Sequence, residues 1–70
     1  MVLDVYGRLT LLIERINGQW RVLEVGDDGK RGLCEDVVIP AHLTEAEIPH
    51  YIDVLFHEAA RPGASVRRVS

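Results

Sequence analysis

From Leu3 onward the odd positions run Leu3, Val5, Gly7, Leu9, Leu11 and Ile13, an apolar alternation that passes through the glycine without losing phase. Period two puts these residues on one face of a strand. A single strand over residues 2–16 would exceed the usual span of about 3 to 10 residues, so Gly7 is expected to mark a bend or the close approach of another backbone. The period changes near the other end of the chain. At about 100° per residue, Ile48, Tyr51, Ile52, Leu55, Phe56 and Ala59 share one arc, while His50, Asp53 and His57 lie opposite, which predicts an amphipathic helix over about 47–60. One helix cannot bury its apolar arc against itself, so the alternating segments must supply a sheet for it to lie on.

Asn17-Gly18 separates two strand-like runs and matches a type I′ turn, whose central residues both need positive φ. A two-residue loop fixes the register: Ile16 faces Gln19, Ile13 faces Val22, Leu12 faces Leu23, and Glu14 meets Arg21 with opposite charge. Ile13, Val22 and Trp20 then join the odd-numbered inner face. Tyr6, Leu12, Ile16, Leu23 and Val25 are expected to look outward, and a contiguous apolar set on a free sheet face suggests a subunit or partner contact.

Residues 26–32 are a turn-rich loop of glycines and aspartates. Leu33 to Ile39 resumes the alternation, with Leu33, Val37 and Ile39 on one side, and Pro40 ends this expected third strand. Thr44 and Glu47 have the spacing of a capping box. Pro49 then requires either a separate short turn at residues 44–47 or a helix beginning near Glu47 with the proline in its first turn. Pro62 sets the helix end at Ala60, and Ser65 to Val69 reads as a last strand. If the third and fourth strands are neighbours they are parallel, joined by a right-handed crossover through the helix; if another strand separates them the same handedness applies, and the strand order stays open. The expected fold is a single α+β domain over residues 1–70: a small, mainly antiparallel sheet of three or four strands in the order β-β-β-α-β, with one helix packed on one face.

Size and composition narrow the function classes. A chain of 70 residues buries only about 60% of its unfolded surface, which makes a second subunit or a partner useful to its stability. With 47% hydrophobic and 27% charged residues it should fold, and a net charge of -3 gives no general attraction for phosphate backbones. Seven of the eight basic residues are arginine, as a GC-rich genome would also produce. Cys34 is the one cysteine, which excludes an internal disulfide and fits a reducing cytoplasm. Asp4 interrupts what would be the apolar core of a secretory signal, and no apolar run approaches the roughly 20 residues of a membrane span, so a cytoplasmic location is expected.

Candidate chemistry is sparse. His57-Glu58 begins like the zinc-protease motif, but Arg61 stands where the second histidine belongs, and a guanidinium is no metal ligand. His50 and His57 lie about 10.5 Å apart along a helix axis, too far for one ion. Gly26-Asp27-Asp28-Gly29-Lys30 has too few residues between its glycines for a phosphate loop and lacks the following Ser or Thr; a calcium loop would need further oxygen ligands. Cys34 with His42, His50 or His57 as base has no local signature of a nucleophile. No catalytic, cofactor or metal residue is therefore assigned. Lys30, Arg31, Arg67 and Arg68, with Trp20 or Tyr6 for stacking, would form a basic aromatic patch for single-stranded nucleic acid if the loop and the last strand share a side.

Four pieces, VYGR at residues 5–8, GKR at 29–31, VIP at 38–40 and LFHEAARPG at 55–63, make the chain resemble a group of very small bacterial proteins carrying a domain of unknown function. The resemblance implies a bacterial cytosolic single domain and no mechanism; within its last piece His57, Glu58 and Arg61 are the polar residues to test. The leading expectation is a non-enzymatic interaction module that self-associates, as a homodimer, or binds a protein partner through the outer sheet face. The alternative is a nucleic-acid accessory protein using the four basic residues, followed by an enzyme built on Cys34 or the helix histidines.

Overall fold

A computed structural model describes residues 1–57 and 62–70. Its strands are β1 (Val2–Val5), β2 (Leu9–Ile16), β3 (Gln19–Val25), β4 (Arg31–Leu33) and β5 (Val66–Arg68). A short 3₁₀ turn, Glu45–Glu47, leads into α1 (Ile48–Leu55). The fold is α+β, with one antiparallel sheet of five strands in the order β4-β3-β2-β1-β5. That is one strand more than the expected upper count.

The additional strand comes from residues 2–16, which form a hairpin and not one bent strand. Tyr6 and Gly7 both take positive φ, 57° and 69°, and Arg8 N–H donates to Val5 O at 3.0 Å to close the turn. Val5 then faces Leu9 and Leu3 faces Leu11, so a loop of odd length leaves odd residues opposite odd residues on one face. An unbroken strand would show the same alternation. The second hairpin matches its sequence reading residue for residue: Ile16 faces Gln19, Glu14 faces Arg21, Ile13 faces Val22 and Leu12 faces Leu23. Asn17 and Gly18 have φ of 52° and 77°, as a type I′ turn demands.

The third predicted strand is displaced. Pairing with β3 occupies Arg31–Leu33, and Leu33 lies opposite Leu23, on the outer side. Cys34 N–H still reaches Val22 O at 2.9 Å, after which Val37 N–H turns back onto Cys34 O at 3.2 Å. Glu35-Asp36 supplies that turn and interrupts the apolar alternation there, which removes the reason for a strand to continue to Ile39. The segment that follows carries buried Ile39 and half-buried Leu43 onto the core. Side chains hold its backbone: Tyr51 Oη donates to Val38 O at 2.8 Å, Arg15 Nη1 to Ala41 O at 2.9 Å and Trp20 Nε1 to Leu43 O at 3.1 Å. These bonds replace the ladder that the segment lacks.

Both sequence options for the helix start are realised. Glu47 accepts the Thr44 backbone N–H at 2.8 Å and its hydroxyl at 2.9 Å over the short turn, and α1 begins at Ile48 with Pro49 in its first turn. These bonds hold the Glu47 carboxyl below its ordinary pKa. The α-helix ends at Leu55, short of the expected Ala60, because Phe56 leaves helical geometry at ψ 11° while its N–H closes on Ile52 O at 3.0 Å. Residues 58–60 of the expected helix lie outside the described residues.

The core gathers Leu3, Val5, Leu11, Ile13 and Val22 from the sheet with Ile39, Ile48 and Ile52, each no more than 5% exposed. Trp20 and Phe56 pack against this cluster from the same side, as the hairpin register requires. Leu55, expected in the buried arc, is 48% exposed, so α1 meets the sheet along a narrower seam centred on Ile48 and Ile52. β4 and β5 run parallel to each other at opposite edges, since alternate strands of an antiparallel sheet share a direction. Each edge strand is three residues long.

Candidate interaction surface

The register of the sheet lines up the residues of its outer face in ranks that cross the strands. Val2 faces Leu12, Leu12 faces Leu23, and Leu23 faces Leu33, giving a continuous aliphatic rank over β1, β2, β3 and β4. None of the four belongs to the core cluster or packs against it, and Leu33 is 59% exposed. Outer positions Leu12 and Leu23 were expected from the second hairpin. Val2 and Leu33 were not, because placing them requires the β1–β2 turn and the true position of β4.

Ranks of charge border the aliphatic one. On one side stand Arg67, Asp4, Thr10, Val25 and Arg31, each facing the next across adjacent strands, with Arg67 Nη2 3.6 Å from Asp4 Oδ2. On the other side Glu14 and Arg21 form an ion pair. Ile16, 39% exposed, continues the same face at the end of β2 opposite Gln19. Val25 keeps its outward place but sits within the polar rank.

Tyr6 does not belong to this face. Its positive φ in the β1–β2 turn swings the side chain to the helix side, where its hydroxyl donates to Asp53 O at 3.1 Å and to the Asp53 carboxylate. That bond, then burial and the carboxylate's charge, push the Tyr6 phenol up to about 12. Asp53, expected on a solvated helix face, is thereby half-buried.

With this geometry in hand, comparison with protein-family models matches residues 1–70 to a domain of unknown function, DUF7661. The chain belongs to that family. Among curated proteins and among solved structures, nothing matches it.

In this DUF7661 chain the four basic residues proposed for nucleic acid do not converge. Lys30 and Arg31 lie at the β4 edge, and Arg67 and Arg68 on β5, so four strand spacings of about 4.8 Å, roughly 19 Å, separate the pairs. Lys30 sits 4.0 Å from Asp28, and Arg68 sits 2.6 Å from Glu45. Trp20 lies on the inner face beneath the Arg15 guanidinium, 4.6 Å from its ring centre, and Tyr6 is engaged by Asp53. Asp28 Oδ1 accepts the Lys30 backbone N–H at 3.0 Å, so the 26–30 loop uses that aspartate to close itself.

Cys34 is half-buried, and burial together with Glu24 and Asp36 pushes its thiol up, the reverse of what activates a nucleophile. His42, His50 and His57 are exposed, and among the described residues no three His, Cys, Asp or Glu side chains group to hold a metal. Glu58 and Arg61 lie outside the described residues. No helix among the described residues is long and apolar enough to cross a membrane.

Proposed function

We propose that this chain is a non-enzymatic interaction module whose outer sheet face binds a protein surface, its own or another's. The observation that carries the reading is the aliphatic rank Val2, Leu12, Leu23 and Leu33, bordered by charge and separate from the core. An apolar centre with a charged border is the anatomy of a protein contact.

The test is whether the face is open and dispensable to the fold. At nanomolar concentration, below the range in which copies would associate, a dye that fluoresces on apolar surface should brighten with the wild type. It should stay dark with the double variant Leu12→Lys, Leu23→Lys, whose circular dichroism and urea midpoint should match the wild type. A dark wild type, or a double variant that no longer folds, would mean that the chain itself covers this face.

A further inference from the structure

The ranks of the outer face are complementary to themselves, and we infer that the occupant of this face is a second copy of the chain. It is related to the first by a two-fold axis lying in the face, parallel to the strands and passing between β2 and β3. This inference rests on the reading of the face as a contact surface and adds its partner and register.

Reversing the order of strands about that axis sets each rank against its own mirror order. In the aliphatic rank, Leu12 falls over Leu23 of the second copy and Val2 over Leu33. In the next rank Thr10 falls over Val25 and Asp4 over Arg31, and beyond the leucines Glu14 falls over Arg21. Each of these meetings occurs twice. Every charged residue from β1 to β4 in these ranks thus meets its opposite sign, and every aliphatic residue of the central rank meets another. Turning the axis to run along the ranks loses this match, because Thr10 would then lie over Glu14 and Val25 over Arg21. Arg31 has no ion-pair partner of its own among the described residues, and the axis along the strands supplies one.

Facing sheets about 10 Å apart with nearly aligned strands is the ordinary way two such faces pack. The face measures roughly 500 Å² per copy from strand spacing and rise, about 1,000 Å² for the pair, which is the lower limit for a specific interface. A dimer with a micromolar dissociation constant is expected. At a two-fold contact, residues pair reciprocally, so the same two side chains decide both ends of the interface.

The experiment is sedimentation of the wild type, Arg31→Glu, Asp4→Lys and an equimolar mixture of the two variants, each with its unfolding curve. The wild type should dimerise. Each variant alone places two like-charged meetings in its dimer, and its association should weaken by about tenfold or more. The mixture should recover association to near the wild-type value, because a dimer of one Arg31→Glu chain with one Asp4→Lys chain has one native and one exchanged pair and no like-charged meeting. Should Asp4→Lys unfold beside Arg67, Asp4→Lys/Arg67→Glu restores the pair within the chain and replaces it in the mixture. A wild type that remains monomeric to millimolar concentration would overturn the second copy as occupant while leaving the open face intact. A dimer indifferent to Arg31→Glu, or a mixture no stronger than its components, would overturn the two-fold register.

Discussion

The Tyr6 hydroxyl, carried on the β1–β2 turn, donates to both the carbonyl and the carboxylate of Asp53 on α1, and so ties the first hairpin to the helix. Tyr6→Phe should lower the urea midpoint without changing the secondary structure seen by circular dichroism. The pH dependence has a definite sign. The folded phenol is pushed up to about 12 from its ordinary 10, so both states hold the proton at neutral pH and the stabilisation is then complete. Between about pH 10 and 12 the unfolded chain loses its proton first, and stability falls. The Tyr6→Phe variant should lack that residue's share of the alkaline fall; identical alkaline unfolding profiles would deny the link.

Ile52 and Leu55 separate the helix seam from its flank. Ile52 is fully buried and Leu55 is 48% exposed. Ile52→Ala should cost about 2 to 5 kcal/mol, a large part of what a domain of this size possesses. Leu55→Ala should cost less than about 1 kcal/mol. Urea titration of the two variants checks the contrast, and equal losses would place Leu55 in the core.

Gly18→Ala tests the turn that sets the sheet register. Gly18 has φ of 77°, and an added Cβ would meet no atom within 4 Å, so the cost is one of backbone conformation alone. About 1 to 2 kcal/mol is expected by denaturant unfolding. A neutral substitution would contradict the type I′ geometry.

Trp20→Phe removes the N–H that holds Leu43 O at 3.1 Å. About 1 kcal/mol should be lost, and amide exchange should quicken in residues 41–43 before it does in β2 or β3. Unchanged exchange there would show that the indole bond does not restrain the segment.

Cys34 should react slowly with a disulfide reagent at pH 8 in the native state, because burial and the charges of Glu24 and Asp36 disfavour its thiolate. Unfolding in urea should speed the reaction, and Glu24→Gln should speed it more modestly. A native thiol faster than a free one would reverse the electrostatic reading.

The second hairpin was fully legible because Asn17-Gly18 names its own turn type, and a two-residue loop leaves one register. That register points Leu12 and Leu23 outward and Trp20 inward. The first hairpin was hidden by parity: a loop of residues 6–8 pairs odd with odd, so the apolar alternation runs on as if no turn occurred. Tyr6 deepened the disguise, since a tyrosine at φ 57° gives no sign in the sequence of the left-handed conformation it takes. Val2 cannot be set beside Leu12 without that turn, nor Leu33 beside Leu23 if the third strand runs from Leu33 to Ile39. Strand order was illegible for a different reason. The pairing of β5 with β1 joins distant parts of the chain, and nothing local in Val66 to Arg68 announces its neighbour.

The brevity of the two outermost strands has a consequence for behaviour in concentrated solution. Lateral growth by adding sheet to sheet needs a long, uncharged row of free amides and carbonyls, and here each margin offers three residues that include Arg31 on one side and Arg67 and Arg68 on the other. Sideways polymerisation into fibres through these edges therefore finds little purchase.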